Sequence, residues 1–149
     1  SQISSAEERS HHGFFSHMFP LGTDEEYIQD MIFDVQKDII RELAKKSSCI
    51  IVGRCSDFLL KNEKNVMNVF IYAPYEARLE NCVKQLGMTQ EEARRMIASV
   101  DKARNAYHRK YAGYLPSDTS HKHLLLDSSL LGVDETAEVL AEVVRKRFF

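Results

Sequence analysis

The sequence predicts an α/β domain, a three-layer arrangement in which a parallel β-sheet carries helices on both faces, and three observations support this. Short apolar runs rich in β-branched and aromatic residues alternate with longer segments of helical periodicity. The spacers between the runs are too long for hairpins, so parallel pairing through crossover helices is the economical arrangement. Two capping-box signatures, Thr23 to Glu26 and Thr89 to Glu92, mark where helices begin.

After the first cap, Ile28, Met31, Ile32, Val35, Ile39 and Leu43 recur at helical spacing as far as Lys45-Lys46, which predicts a long amphipathic helix. Cys49-Ile50-Ile51-Val52-Gly53 then reads as a strand buried on both faces. Val66 to Ala73 is the second strand, and Pro74 suits a first helical position. Leu79, Cys82, Val83 and Leu86 trace the stripe of a helix ending at Gly87. Thr89 opens a further helix whose Ala93, Met96, Ile97, Val100, Tyr107 and Tyr111 fall near one face. Gly113 to Ser120 is a loop, His123 to Asp127 a third strand, and Val133, Ala137, Leu140, Val144 and Phe148 the stripe of a last helix. The segments 49–53, 66–73 and 123–127 are expected to be neighbouring parallel strands. Ligands of such sheets bind beyond the carboxyl ends of the strands, which directs attention to Gly53-Arg54, Ala73-Pro74 and Asp127-Ser128-Ser129.

The 149 residues suit one domain, 1–149, with a polar opening at 1–22 expected to be mobile or partly ordered. No apolar run approaches the roughly 20 residues of a membrane span, and Ser1 to Arg9 has no signal-peptide centre. Three cysteines without CxxC spacing fit a reduced, cytoplasmic setting. Cys49 and Cys82 lie on apolar faces and are expected in the core. Cys55 stands beside Arg54 without a nameable base, so it is not assigned as a nucleophile. His11, His12 and His17 lack an acid at ligand spacing, and no metal site is assigned.

The net charge is only −2, but Lys84 to Tyr111 holds seven Lys/Arg against three acids. A basic island in an otherwise acidic chain suits a small anionic ligand better than a nucleic acid polymer, although a solvated helical face would carry similar charge. Within it, Asp101 to Tyr111 interleaves cations with aromatics. Arg104 and His108 share a helical face, while Arg109 lies about 140° from Arg104 around the axis. At the end of the first strand, Gly53 allows a close turn and Arg54 offers a planar fork to a phosphate; a pair with a nearby acid such as Asp57 would account for that arginine equally well.

Four segments, in order, resemble the cytidylate kinase-like family: Ile-Val-Gly-Arg at 51–54, Val-Phe-Ile-Tyr-Ala-Pro-Tyr-Glu-Ala-Arg at 69–78, Asp-Lys-Ala-Arg-Asn-Ala-Tyr at 101–107, and Leu-Leu-Asp-Ser-Ser-Leu-Leu-Gly-Val at 125–133. The resemblance covers about residues 30 to 149. It implies a P-loop nucleotide-kinase fold with a helical lid at 84–120, and transfer of a phosphoryl group from ATP, with Mg²⁺, to a nucleoside monophosphate. It also implies roles. Gly53, Arg54, Asp57 and Arg78 would bind the acceptor, with Arg54 on its phosphate; Arg104 and Arg109 would be the catalytic lid arginines; and Asp127, Ser128, Ser129 and Leu130 would border the ATP base.

Two departures qualify the match. Cys55 stands where cytidylate kinases place an aspartate after Gly-Arg, which resembles a divergent branch and leaves cytidine specificity open. No glycine-rich Gly-Lys-Ser/Thr loop occurs among the six isolated glycines. The expectation is that the sequence is one stretch of a longer chain that carries this loop. A kinase-fold protein that senses nucleotides or binds a partner without catalysis is the alternative.

Overall fold

The computed structural model describes residues 25–149; the expectations for 1–22, for Thr23 and for His11, His12 and His17 lie outside the described residues. The order is α1 (Glu25–Lys46), α2 (Ser56–Leu59), β1 (Val69–Tyr72), α3 (Tyr75–Lys84), α4 (Gln90–Ala112), a 3-10 turn (Thr119–His121), β2 (Leu124–Asp127), α5 (Ser128–Leu131) and α6 (Val133–Phe148). β1 and β2 pair in parallel, with Val69 opposite Leu124 and Tyr72 opposite Asp127. Their connection is a crossover through α3 and α4. Just before the ladder, the Asn68 carbonyl accepts from the His123 and Leu124 amides at 2.8 and 3.2 Å, and the Asn68 N–H donates to His123 Nδ1 at 2.8 Å.

The α/β reading holds, but the expected strand at 49–53 does not form among the described residues, whose sheet has two strands. Cys49 to Val52 runs outside any ladder, with Ile50 95% and Val52 79% exposed. An apolar run becomes a strand only where a neighbour completes its backbone hydrogen bonds, and β1 pairs here with β2 alone. Cys49 is accordingly exposed, against the core position expected of it. The apolar stripe of α1 departs in the same way: Ile28, Met31, Ile32, Val35, Ile39 and Leu43 are exposed. The helix buries a different face, placing Ile40, with Phe33 and Ala44 alongside, on Leu59 and Leu60.

The seam between α3 and α4 follows the sequence pattern. Leu79 and Cys82 meet Ala93 and Ile97, and Val83, Met88 and Met96 close the edges. Ala93 is fully enclosed, so a larger side chain there would have to displace its neighbours. The predicted cap is present: the Glu92 N–H donates to Thr89 Oγ1 at 3.3 Å and the Thr89 N–H to Glu92 Oε2 at 2.8 Å. At the other end of α4, Gly113 takes a left-handed φ of 87° that a side chain would oppose, and its N–H reaches the Arg109 carbonyl at 3.1 Å. Among the described residues, no helix is long and apolar enough to cross a membrane.

Candidate functional site

A cavity of about 360 Å³ opens at the carboxyl ends of β1 and β2, where a parallel sheet is expected to receive its ligand. Tyr72 and Ala73 from the end of β1 and Ser128 from the start of α5 form its base, tied together by the Ser128 hydroxyl donating to the Tyr72 carbonyl at 3.2 Å. α3 contributes Arg78, and α4 contributes Asp101, Arg104 and Asn105. The α4 residues fall at the i, i+3, i+4 spacing of one helical face, which His108 continues at i+7.

Arg78 holds Asp101 through two nitrogens, at 2.9 and 2.7 Å. The hydrogen bonds from the Arg78 guanidinium to Asp101 raise its affinity for its proton. The fork fixes two side chains of the wall and leaves other guanidinium N–H groups of Arg78 for a ligand. Among the described residues Arg104 makes no side-chain hydrogen bond or ion pair, and it lines the cavity.

Arg54 is not on the cavity wall. Its guanidinium lies over the Tyr107 ring, 5.8 Å from the centroid, and Tyr107 is three residues beyond Arg104 on α4. The two arginines therefore meet the same helix about one turn apart, rather than lining one cavity. Burial raises the Tyr107 phenol above its usual value, and the adjacent Arg54 draws it part of the way back. Arg54 and Cys55 adopt left-handed φ values of 57° and 54°, after Gly53 at 70°. Such a conformation is unusual for two consecutive non-glycine residues.

Asp57 is half-buried; its Oδ1 lies 3.0 Å from His108 Nε2, while Oδ2 accepts from the Tyr114 hydroxyl at 3.1 Å and from Lys122 Nζ. Burial alone would raise its carboxyl, but the hydrogen bonds from His108 and Lys122, with their charges, hold it well below the usual carboxylate range. Cys55 is buried, and burial together with the Asp57 charge pushes its thiol up to about 12, the opposite of an activated nucleophile.

The remaining sequence-assigned residues divide. Arg109 is exposed and off the cavity, as its angular separation from Arg104 requires. Asp127 caps α5, its Oδ1 accepting from the Ser129 N–H at 2.8 Å and the Ser129 hydroxyl at 2.6 Å, so both side chains are engaged with each other. Leu130 is exposed, and Ser128 alone of this group reaches the cavity. Among the described residues, no three His, Cys, Asp or Glu side chains converge to hold a metal ion.

The sequence model of the cytidylate kinase-like family matches residues 1–130. The chain belongs to that family. A cytidylate kinase from Methanopyrus kandleri is 30% identical over 112 residues, which cover 70% of this chain and 58% of that one. The crystal structure of an uncharacterized protein from Eubacterium ventriosum superposes with a TM-score of 0.72 at 24% identity, covering 77% of this chain and 65% of that chain, a likeness of fold. This cytidylate kinase-like chain thus spans less than two thirds of the length of either relative.

Sequence reasoning did not place Asn105, nor Asp101 as the partner of Arg78. Both are legible as members of the Asp101-Arg104-Asn105-His108 face. It also missed His108, Tyr114 and Lys122 around Asp57, for which no local signal exists.

Proposed function

We propose that this protein transfers a phosphoryl group from ATP to a nucleoside monophosphate, with the acceptor held at the cavity beyond β1 and β2. The observation that carries the reading is the guanidinium of Arg104 on the wall of that cavity, without an ion-pair partner among the described residues, beside the Arg78–Asp101 fork, in a chain of the cytidylate kinase-like family. An anion entering there meets the Arg104 guanidinium, which α4 carries over the strand ends and which can stabilise phosphoryl charge as it develops. Arg54 lies outside the cavity wall, docked on Tyr107 at the next turn of α4, and is the candidate for the phosphate of an acceptor that extends from the cavity to that turn, with the segment 84–120 closing over it as a lid. Ser128 donates at the base of the cavity, and α5 borders the ATP base.

The described residues do not fit Mg²⁺, because they provide no converging carboxylates, and the sequence holds no glycine-rich cradle for ATP phosphates. What this chain contributes is acceptor binding, orientation and charge stabilisation.

The test is ATP-dependent phosphorylation of a panel of nucleoside monophosphates by the full chain. Transfer to at least one of them is expected. Arg104→Ala should then lower kcat roughly 10²- to 10³-fold, because the contact forms fully only as charge moves, while Arg54→Ala should mainly raise the KM of the acceptor. Unchanged kcat and KM in both variants would remove the cavity from consideration as the active site.

A further inference from the structure

Asp57 sits in the first turn of α2, two residues after the Arg54–Cys55 pair of left-handed residues. This turn is internally bonded: the Ser56 N–H reaches the Gly53 carbonyl at 3.1 Å and the Leu59 N–H the Cys55 carbonyl at 2.9 Å. It is tied outward through the Asp57 carboxylate, which takes donors from three places far along the chain: His108 of α4, Tyr114 just after α4, and Lys122 just before β2. The side chains concerned are largely withdrawn from water, with Lys122 5% and Asp57 13% exposed. His108 is itself oriented by its Nδ1, 2.7 Å from the Tyr114 carbonyl, and its ring meets the Tyr114 ring edge-on. The carboxylate oxygens are therefore occupied by the protein, and strained backbone of the kind seen at Arg54 persists only where its surroundings over-determine it.

We propose that Asp57 is a positioning residue for Arg54. By fastening the Gly53–Cys55 turn to α4 and to the segment leading into β2, it delivers the Arg54 guanidinium to Tyr107, one helical turn from Arg104. Asp57 does not bind the acceptor itself. The kinetic part of this inference rests on the function proposed above; the structural part does not.

The test is a double-mutant cycle in the full chain. Asp57→Asn keeps the shape but removes the charge, and Tyr114→Phe removes one donor should the first variant fold poorly. Each is expected to raise the acceptor KM, by on the order of tenfold for Asp57→Asn, in line with the sensitivity of a positioned group to small displacement. In an Arg54→Ala background the same substitutions should add almost nothing, because they act through Arg54. An equal rise in both backgrounds would show that Asp57 contacts the acceptor directly and overturn the proposal. Should the unmodified chain phosphorylate no monophosphate, the functional reading fails by itself, and amide hydrogen exchange decides the inference. Exchange at Ser56 and Leu59 should then speed up about tenfold or more in Tyr114→Phe, with Ala93 and Ile97 unaffected. Unaltered exchange at Ser56 and Leu59 overturns it.

Discussion

Replacing Lys122 by methionine isolates the energetic weight of the buried network. The substitution keeps the length and apolar stem of the side chain and removes only the ammonium that Asp57 Oδ2 accepts from. Breaking a buried ion pair typically costs about 3–5 kcal/mol, since the surviving charge stays buried without its partner. Asp57 retains His108 and the Tyr114 hydroxyl as donors, so the lower end, about 3 kcal/mol, is expected here. For a chain of this size that corresponds to a fall in Tm of roughly 6–12 °C. The folded Asp57 carboxyl is depressed below its unfolded value of 3.8, so its contribution is complete above that value and is lost as pH falls through the depressed folded one. The deficit of Lys122→Met should therefore be full at neutral pH and narrow only below the ordinary carboxylate range. Urea denaturation followed by circular dichroism measures it, with Arg145→Met as control. Arg145 pairs with Glu142 at 2.8 Å, but both side chains are more than half exposed, so its loss should stay within about 0.5 kcal/mol. A Lys122→Met deficit no larger than that of Arg145→Met would refute the reasoning.

The seam between α3 and α4 should be sensitive to volume: Ile97→Ala is expected to cost about 3 kcal/mol in urea denaturation, and a loss under 1 kcal/mol would mean that the seam collapses freely around the gap. The cysteines should separate by reactivity. Iodoacetamide should modify exposed Cys49 readily in the native protein and leave Cys55 untouched until denaturant is added, because Cys55 is buried and its thiol is pushed up to about 12. Peptide mass mapping distinguishes the two, and equal rates would contradict the buried placement of Cys55.

The sequence by itself determined the elements that local chemistry encodes. Thr89 and Glu92 set the start of α4 and Gly113 its end, and the spacing of Leu79, Cys82, Ala93 and Ile97 set the α3–α4 seam, since caps and periodicity act over three or four residues. The runs at Val69 and Leu124 gave β1 and β2, and the rule for parallel sheets gave the place of the cavity. The arginines of the candidate site were legible as types in a basic tract, and so was the angle separating Arg104 from Arg109. Tertiary structure alone decided the rest. Whether Ile50-Ile51-Val52 becomes a strand depends on a neighbour for its backbone, and which face of α1 is buried depends on what packs there; neither is written in the run itself. The hydrogen-bond partners of Asp57 were decided in the same way. A short acid beside Arg54 reads as a ligand contact or a local ion pair, yet its partners lie 51, 57 and 65 residues away. A carboxylate bonds whatever donors the fold brings within about 3 Å, and no periodicity in a sequence records a meeting between segments that far apart.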